Sequence, residues 1–196
     1  MALKSWAGIV SLFVVLALTT QGADPAKPQP GSNGTEYVEK TATKDGVELS
    51  VRVPRATEAG TPVRIRVVVS NFSDKQIDLG WVRSFHQFGL TVSDRSDKPV
   101  PLTRFGNQCG VQTDPSQGRG SINVSALKPK RRYSVEMNLA LLFDLTAPKP
   151  TGNYRLAVIQ VVNPATTSEF KLEVSDLEFT ITGPSMEATE SDVEPK

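Results

Sequence analysis

Apolar and polar residues alternate along most of this chain with a period of two. From Gly46 to Val53, Val47, Leu49, Val51 and Val53 point one way while Glu48, Ser50 and Arg52 point the other. That is the pattern of a half-buried strand. Pro54 ends the run, and Ala59-Gly60-Thr61 turns the chain. From Pro62 to Ser70 the pattern repeats, with Val63, Ile65, Val67 and Val69 inward and Arg64 and Arg66 outward. β-Branched residues dominate here, as suits a pleated surface. A polar turn at Asn71–Lys75 leads to a third strand over 76–82, with Ile77, Leu79 and Trp81 on one face. A fourth strand is predicted over 87–93, with Phe88, Leu90 and Val92 inward, and then a polar turn over 94–98. Pro99–Phe105 reads as a short strand whose prolines place it at an edge.

The second half keeps the same rhythm. A strand is predicted over 121–127, with Ile122 and Val124 apolar. Tyr133, Val135, Met137 and Leu139 alternate, and the apolar spacing of Leu141-Leu142-Phe143-Asp144-Leu145 fits one helical turn. Tyr154–Val162 is apolar on both faces, as a central strand is. The last strand or strand pair spans Glu169–Ile181, with Phe170, Leu172 and Val174, then Leu177, Phe179 and Ile181. Short, evenly spaced strands with turn signals between them predict an all-β fold, a single immunoglobulin-like β-sandwich of about seven to nine antiparallel strands. An eight-stranded barrel is the second choice. Tyr154 favours the sandwich. It opens a strand two residues after Gly152, past a loop that holds Asp144, and from there its hydroxyl can reach upstream backbone as in a tyrosine corner. Trp81, Asp144, Gly152 and Tyr154 are therefore the expected structural residues, with Trp81 as the core tryptophan of the third strand.

Two stretches resemble known modules. VRIRVVVSNFSDKQIDL (63–79) resembles the second and third strands of bacterial immunoglobulin-like domains, where an alternating strand runs into Asn and Ser. LKPKRRYSVEMNLALLFDLTAPKPTGNYRLAV (127–158), followed by VSDLEFTI (174–181), is similar to the closing half of exported bacterial immunoglobulin-like or fibronectin-like modules. It is also distantly similar to the intracellular proteinase-inhibitor family of bacilli and to the β-domain preceding some deuterolysin-type proteases. The likeness spans about 45–182 and rests on Leu127, Pro129, Tyr133, Asp144, Gly152 and Tyr154. It implies a fold, and no active site of these families maps onto the chain.

The ends read differently from the middle. Lys4 is the one charge in residues 1–22, an apolar run follows from Ala7 to Leu18, and the small residues Thr20 and Gly22 precede Ala23. This is the layout of a secretory signal peptide cleaved near Gly22. The run is shorter than the roughly 20 residues that span a bilayer, and no second run of spanning length occurs, so no stable membrane anchor is expected after cleavage. Residues 23–35 read as a flexible linker and 183–196 as a disordered acidic tail. The domain between them is 36–182, and the expected location is secreted or periplasmic.

Composition mainly excludes. The formal net charge is +1 and removal of the leader takes away Lys4, so the mature chain is near neutral. Non-specific nucleic-acid binding needs a strong basic field. Cys109 is the single cysteine, so no internal disulfide forms and apolar packing holds the core. The lack of an inter-sheet disulfide favours a bacterial exported protein over an animal immunoglobulin domain. His86 is the single histidine, and nothing around it suggests a nucleophile turn. One Cys and one His do not make a usual zinc site. Asp94, Asp97 and Asp114 are loop acids without EF-hand spacing, and the basic run 128–132 reads as a polar turn. No catalytic residue, cofactor site or metal site is expected. Asn33, Asn71 and Asn123 lie in N-x-S/T sequons.

The stretch Gly106–Gly120 stands apart: it is Gly-rich and aperiodic. Long loops of this kind in compact domains are often functional. Asn107, Gln108, Val111, Gln112 and Arg119 are the candidate partner-binding residues. The expected function is a non-enzymatic exported interaction module that recognises a protein or envelope component through loops and sheet edges. One alternative is a secreted protease inhibitor presenting 106–120. The other is a carbohydrate-binding module, which would need Trp81, Phe85, Phe88 or Phe105 exposed.

Overall fold

A computed structural model of the protein describes residues 35–81, 88–111, 123–145 and 151–183, with the side chains of Trp81 and Asn123 outside the description. In chain order the elements are β1 (Tyr37–Lys44), β2 (Val47–Pro54), β3 (Ala56–Glu58), β4 (Arg64–Asn71), β5 (Ile77–Trp81) and β6 (Gly89–Asp94). Helix α1 (Arg104–Cys109), β7 (Asn123–Leu127), β8 (Arg132–Asn138), α2 (Leu139–Leu142), β9 (Gly152–Val162) and β10 (Phe170–Thr182) follow. The fold is an all-β sandwich and not a barrel. One sheet has the order β1-β2-β4-β8, and the other has β3-β10-β9-β5-β7 with β6 also on β9.

The alternation read along the chain becomes the core. Val47, Leu49, Val51 and Val53 of β2 and Ile65, Val67 and Val69 of β4 face the second sheet and are buried. Leu79, Phe88, Leu90 and Val92 meet them with Leu156, Val158, Phe179 and Leu177. β9 is the middle of its sheet. β10 pairs with it from Gly152 to Val162, while β6 pairs with Tyr154–Ile159 and β5 with Val162 on the other edge. β5 and β6 thus run one after the other along the same edge.

β10 explains the change of parity between Val174 and Leu177. It is one strand with a register shift at that point, and Asp176 has φ 54°. An extra residue in one strand of an antiparallel pair is a β-bulge, which restores the inward face after the slip. The bulge also ties the sheets. Lys40 of β1 donates through Nζ to the carbonyls of Ser175 at 3.2 Å and Asp176 at 2.8 Å.

Several expectations are corrected. Ten strands are assigned among the described residues, and β3 pairs parallel with β10. β1 had little signal, because only Val38 and Ala42 of YVEKTATK turn towards the core. Pro99–Phe105 is not a strand. It makes single bridges, Pro99 to Ser93 and Leu102 to Phe143, and then α1 begins at Arg104. Thr103 starts that helix by accepting a hydrogen bond from Gly106 N at 2.9 Å. The helical turn expected at 141–145 lies at Leu139–Leu142, capped by Asn138 Oδ1, which accepts from Ala140 N. In β7 the inward parity belongs to Leu127, and Val124 is 52% exposed.

Asn71 closes one end of the sandwich. Its side chain is fully buried, and Nδ2 faces the carbonyls of Lys75 at 2.8 Å, Leu127 at 3.0 Å and Lys128 at 3.3 Å. Oδ1 accepts from Ser73 N and Ser73 Oγ. One amide therefore joins the β4–β5 turn to the β7–β8 turn. Lys130 adds a bond to the Phe72 carbonyl and an ion pair with Asp74 at 3.0 Å. Replacing Asn71 by Ala leaves buried carbonyls without a donor and is expected to cost about 3 kcal/mol in urea unfolding. Asn71→Asp should be no better, since it sets a carboxylate against the same carbonyls. Wild-type stability in either variant would refute the role.

Candidate functional site

The opposite end of the sandwich carries both helices. β4 starts there, and Leu139 N donates to Val63 O at 2.9 Å, which places α2 against the start of that strand. α1 sits directly on α2. Thr103 N donates to Leu142 O at 3.0 Å and Thr103 Oγ1 to Leu141 O at 2.5 Å. A Cβ at Gly106 would run into the Leu142 carbonyl, so only glycine allows this approach. The packing leaves two large apolar side chains outside: Phe105 is 49% exposed and Leu141 55%.

Each expected partner-binding residue now has a place. Asn107 and Gln108 are exposed on α1, and Asn107 Nδ2 bonds back to Thr103 O at 3.0 Å. Val111 is buried in the core cluster and is no surface contact, because the chain turns inward after Gly110. Gly106–Cys109 is helical, so the expected long loop does not begin at Gly106. Gln112 and Arg119 lie outside the described residues. Phe105, which the sequence offers as an exposed aromatic only for a carbohydrate-binding face, is exposed on α1, and Leu141, read there only as part of a helical turn, is exposed on α2.

One depression borders α2 and another lies beside the start of β9. A smaller one of about 310 Å³ is lined mainly by apolar groups, among them Ala59, Pro62, Val63, Ala140, Leu141 and Ile181. A larger groove of about 740 Å³ runs between the Asp94–Pro101 segment and the start of β9 at Thr151–Tyr154. Asp94 holds the turn of that segment: its Oδ1 accepts from Ser96 N at 2.8 Å and Lys98 N at 3.0 Å. Asp97 is ion-paired with Arg155. Both carboxylates are thus engaged in structure rather than set out as calcium ligands, and Asp114 lies outside the described residues. No group of three His, Cys, Asp or Glu side chains suited to a metal occurs among the described residues.

Tyr154 borders the groove and fixes its floor. It is 6% exposed, and its hydroxyl donates to the Leu145 carbonyl at 3.3 Å, nine residues upstream. Its ring stacks on Phe179 with centroids 5.5 Å apart. Asp144 N donates to Pro101 O at 2.8 Å, so the segment carrying Leu145 is itself held against the groove wall. At Gly152 an added Cβ would meet only Tyr154 Cε2, at 3.8 Å, and sterics do not reserve the position for glycine. Cys109 is half-buried at the end of α1. Trp81 pairs through its backbone with Asn123, while Phe85 and His86 lie outside the described residues. No described helix is long and apolar enough to cross a membrane.

No family matches the chain, and no curated protein does. Among solved structures, a β-glucosidase from Listeria innocua is 15% identical, with a TM-score of 0.33 over 76% of this chain and 16% of the enzyme. This chain therefore spans less than a fifth of that enzyme's length. The ApaA-designated protein of Bordetella pertussis is 8% identical, with a TM-score of 0.29 over 77% of this chain and 93% of that one. At such identities and scores neither neighbour carries an argument about activity.

Burial, then the nearby carboxylates of Asp94 and Asp144, push the Tyr154 phenol above its ordinary value. A raised pKa in the folded state means that folding is favoured while the phenol is protonated. That stability is complete below the unfolded value near about 10 and is lost as pH rises through the folded value. Tyr154→Phe should lose about 1 kcal/mol at neutral pH with the hydrogen bond and should flatten the fall in stability above about pH 10. Denaturant titrations at pH 7 and pH 10.5 check both, and an unchanged alkaline slope would contradict the assignment.

Proposed function

We propose that the protein is a non-enzymatic, exported interaction module that recognises a protein or envelope component through the end of the sandwich bearing α1 and α2. The observation that carries this reading is the pair of exposed apolar side chains, Phe105 on α1 and Leu141 on the adjoining α2, of which Leu141 also lines an apolar depression. Large apolar groups gathered at one place on a polar surface mark contact sites more often than isolated ones do. The signal-like layout of residues 1–22 supports a partner outside the cytoplasm. For the inhibitor alternative, Gly106–Cys109 is helical and not extended, and 112–120 of the loop it would present lies outside the described residues. The carbohydrate alternative loses Phe88, which is 2% exposed, and keeps Phe105, while Phe85 and the side chain of Trp81 lie outside the described residues.

Affinity capture on envelope and culture-fluid fractions of the source organism, read by mass spectrometry, tests the reading. Wild-type protein should recover one component near stoichiometry. Phe105→Asp and Leu141→Asp should each lose it while unfolding at the wild-type midpoint, as surface substitutions do. Recovery that ignores both substitutions, or nothing above a bead control, would overturn the assignment.

A further inference from the structure

We propose that the open edge of β8 is a self-association edge. It pairs antiparallel with β8 of a second copy of this chain, so that Arg132 of each copy meets Glu136 of the other. The inference stands apart from the α1–α2 site and does not rest on it.

The backbone decides what this edge offers. β8 closes its sheet and is paired on one side only, with β4, from Ser70–Arg132 to Arg64–Asn138. Two bonds of the same register flank the ladder: Asn71 N donates to Arg131 O at 2.9 Å, and Leu139 N to Val63 O at 2.9 Å. Successive residues of an antiparallel strand turn their N–H and C=O groups to opposite edges. Tyr133, Val135 and Met137 therefore spend theirs on β4, and Arg132, Ser134 and Glu136 turn theirs outward. No strand or turn bonds that outer row among the described residues. The edge runs for seven residues without a proline or a register shift, and such an edge is a template for another strand. The other edges differ. β3 has three residues and β7 five, while β1 carries Lys40 and Lys44 and is tied by Lys40 to β10.

Charge selects the occupant and the register. Two copies of one strand pair antiparallel about a twofold axis, and the outward groups bond only if even-numbered residues face even-numbered ones. An axis at Ser134 sets Arg132 opposite the partner's Glu136 and Glu136 opposite the partner's Arg132. Opposite charges so placed stabilise a sheet. An axis at Val135 sets Ser134 against the partner's Glu136 and makes neither ion pair. The rows that meet at the seam are balanced. Within one copy they read Glu39–Arg52–Arg66–Glu136 and Thr43–Glu48–Ser70–Arg132, each of zero net charge, with the uncharged Thr41–Ser50–Val68–Ser134 between. Each Glu136 then lies between its own Arg66 and the partner's Arg132. Lys130 is already ion-paired with Asp74. Arg64 and Arg131 remain at the ends of the ladder, exposed to water, where charge pairs are worth little. The whole chain carries +1, so no strong field opposes a second copy. On the other face of β8, Tyr133 and Val135 are only partly buried against the core. The same register sets Tyr133 against the partner's Val135 twice, which removes apolar surface from water.

Sedimentation equilibrium of the whole protein tests this. Wild type should pass from monomer to dimer between about 1 µM and about 500 µM, the weak range of a contact this small. Arg132→Glu and Glu136→Arg each set like charges across the seam and should each weaken self-association at least about tenfold. An equimolar mixture of the two variants recovers both ion pairs and should form a mixed dimer as readily as wild type does. Should Glu136→Arg fold poorly beside Arg66, Glu136→Gln weakens the dimer in the same direction. Cross-linking reads the register. In a Cys109→Ser background, Ser134→Cys should join two copies under copper–phenanthroline, because residues facing each other at the axis stand about 5.5 Å apart at Cα. Asn138→Cys should not. A monomer at about 500 µM, a dimer indifferent to both charge substitutions, a mixture that stays monomeric, or equal cross-linking at both positions each overturns the proposal. Phe105→Asp should leave the dimer unchanged, so a missing dimer with partner capture that still depends on Phe105 removes this inference alone.

Discussion

The structure depends on the pairing of β9 along both of its edges. Over its 11 residues the strand meets β10 on one side and β6 followed by β5 on the other. A strand so placed cannot slip by one residue without turning Leu156 and Val158 out of the core and breaking three ladders at once. The long-range contacts follow from that. Tyr154 fixes where the strand begins, through the Leu145 carbonyl and the stack on Phe179. The bulge of β10 keeps Leu177 and Phe179 inward after Val174, and Lys40 uses its exposed carbonyls to draw β1 across the sheets.

The two ends of this frame are built on different terms. At the Asn71 end a single buried amide satisfies the carbonyls of two turns, and little apolar surface is left apart from Phe72. At the Tyr154 end the chain uses two short helices that are too brief to be stable alone. Hydrogen bonds from Thr103 and the absence of a side chain at Gly106 hold them together. The cost is exposed Phe105 and Leu141. A closed end and an end with exposed apolar side chains on one sandwich is the arrangement from which the interaction reading grows.

Much of the frame is legible in the sequence because period-two alternation and burial are the same fact seen twice. β2, β4, β6 and the two halves of β10 carry their inward residues at the parity that their letters indicate, and Gly152-Asn153-Tyr154 announces the start of β9. What escaped has physical reasons. β1 and β3 are edge strands with few buried side chains, and their pairing is decided by partners far along the chain. α1 is a single turn made by a Thr cap and a glycine contact, with no helical periodicity to betray it. In β7 the apolar Ile122 and Val124 gave no orientation, and the register with β5 turns Leu127 in. The site was half visible: Asn107 and Gln108 were placed near it by the glycine-rich composition. Phe105 was one of four aromatics that the sequence could only offer as exposed, and Leu141 was hidden, because exposure of an apolar residue is a property of packing, which one sequence does not display.

The central claim is that a β9-centred frame presents a less strongly held end. Hydrogen exchange of the folded protein, resolved by peptide mass spectrometry, tests it most directly. The account predicts that amides of β9 and β10 exchange slowest. Those of α1, α2 and the 94–101 segment should open at least about a hundredfold more readily, as expected of short elements with few buried bonds. Exchange in β9 as fast as in α1 would contradict it, since the strand on which the sandwich depends would then be no more stable than the end it is said to support.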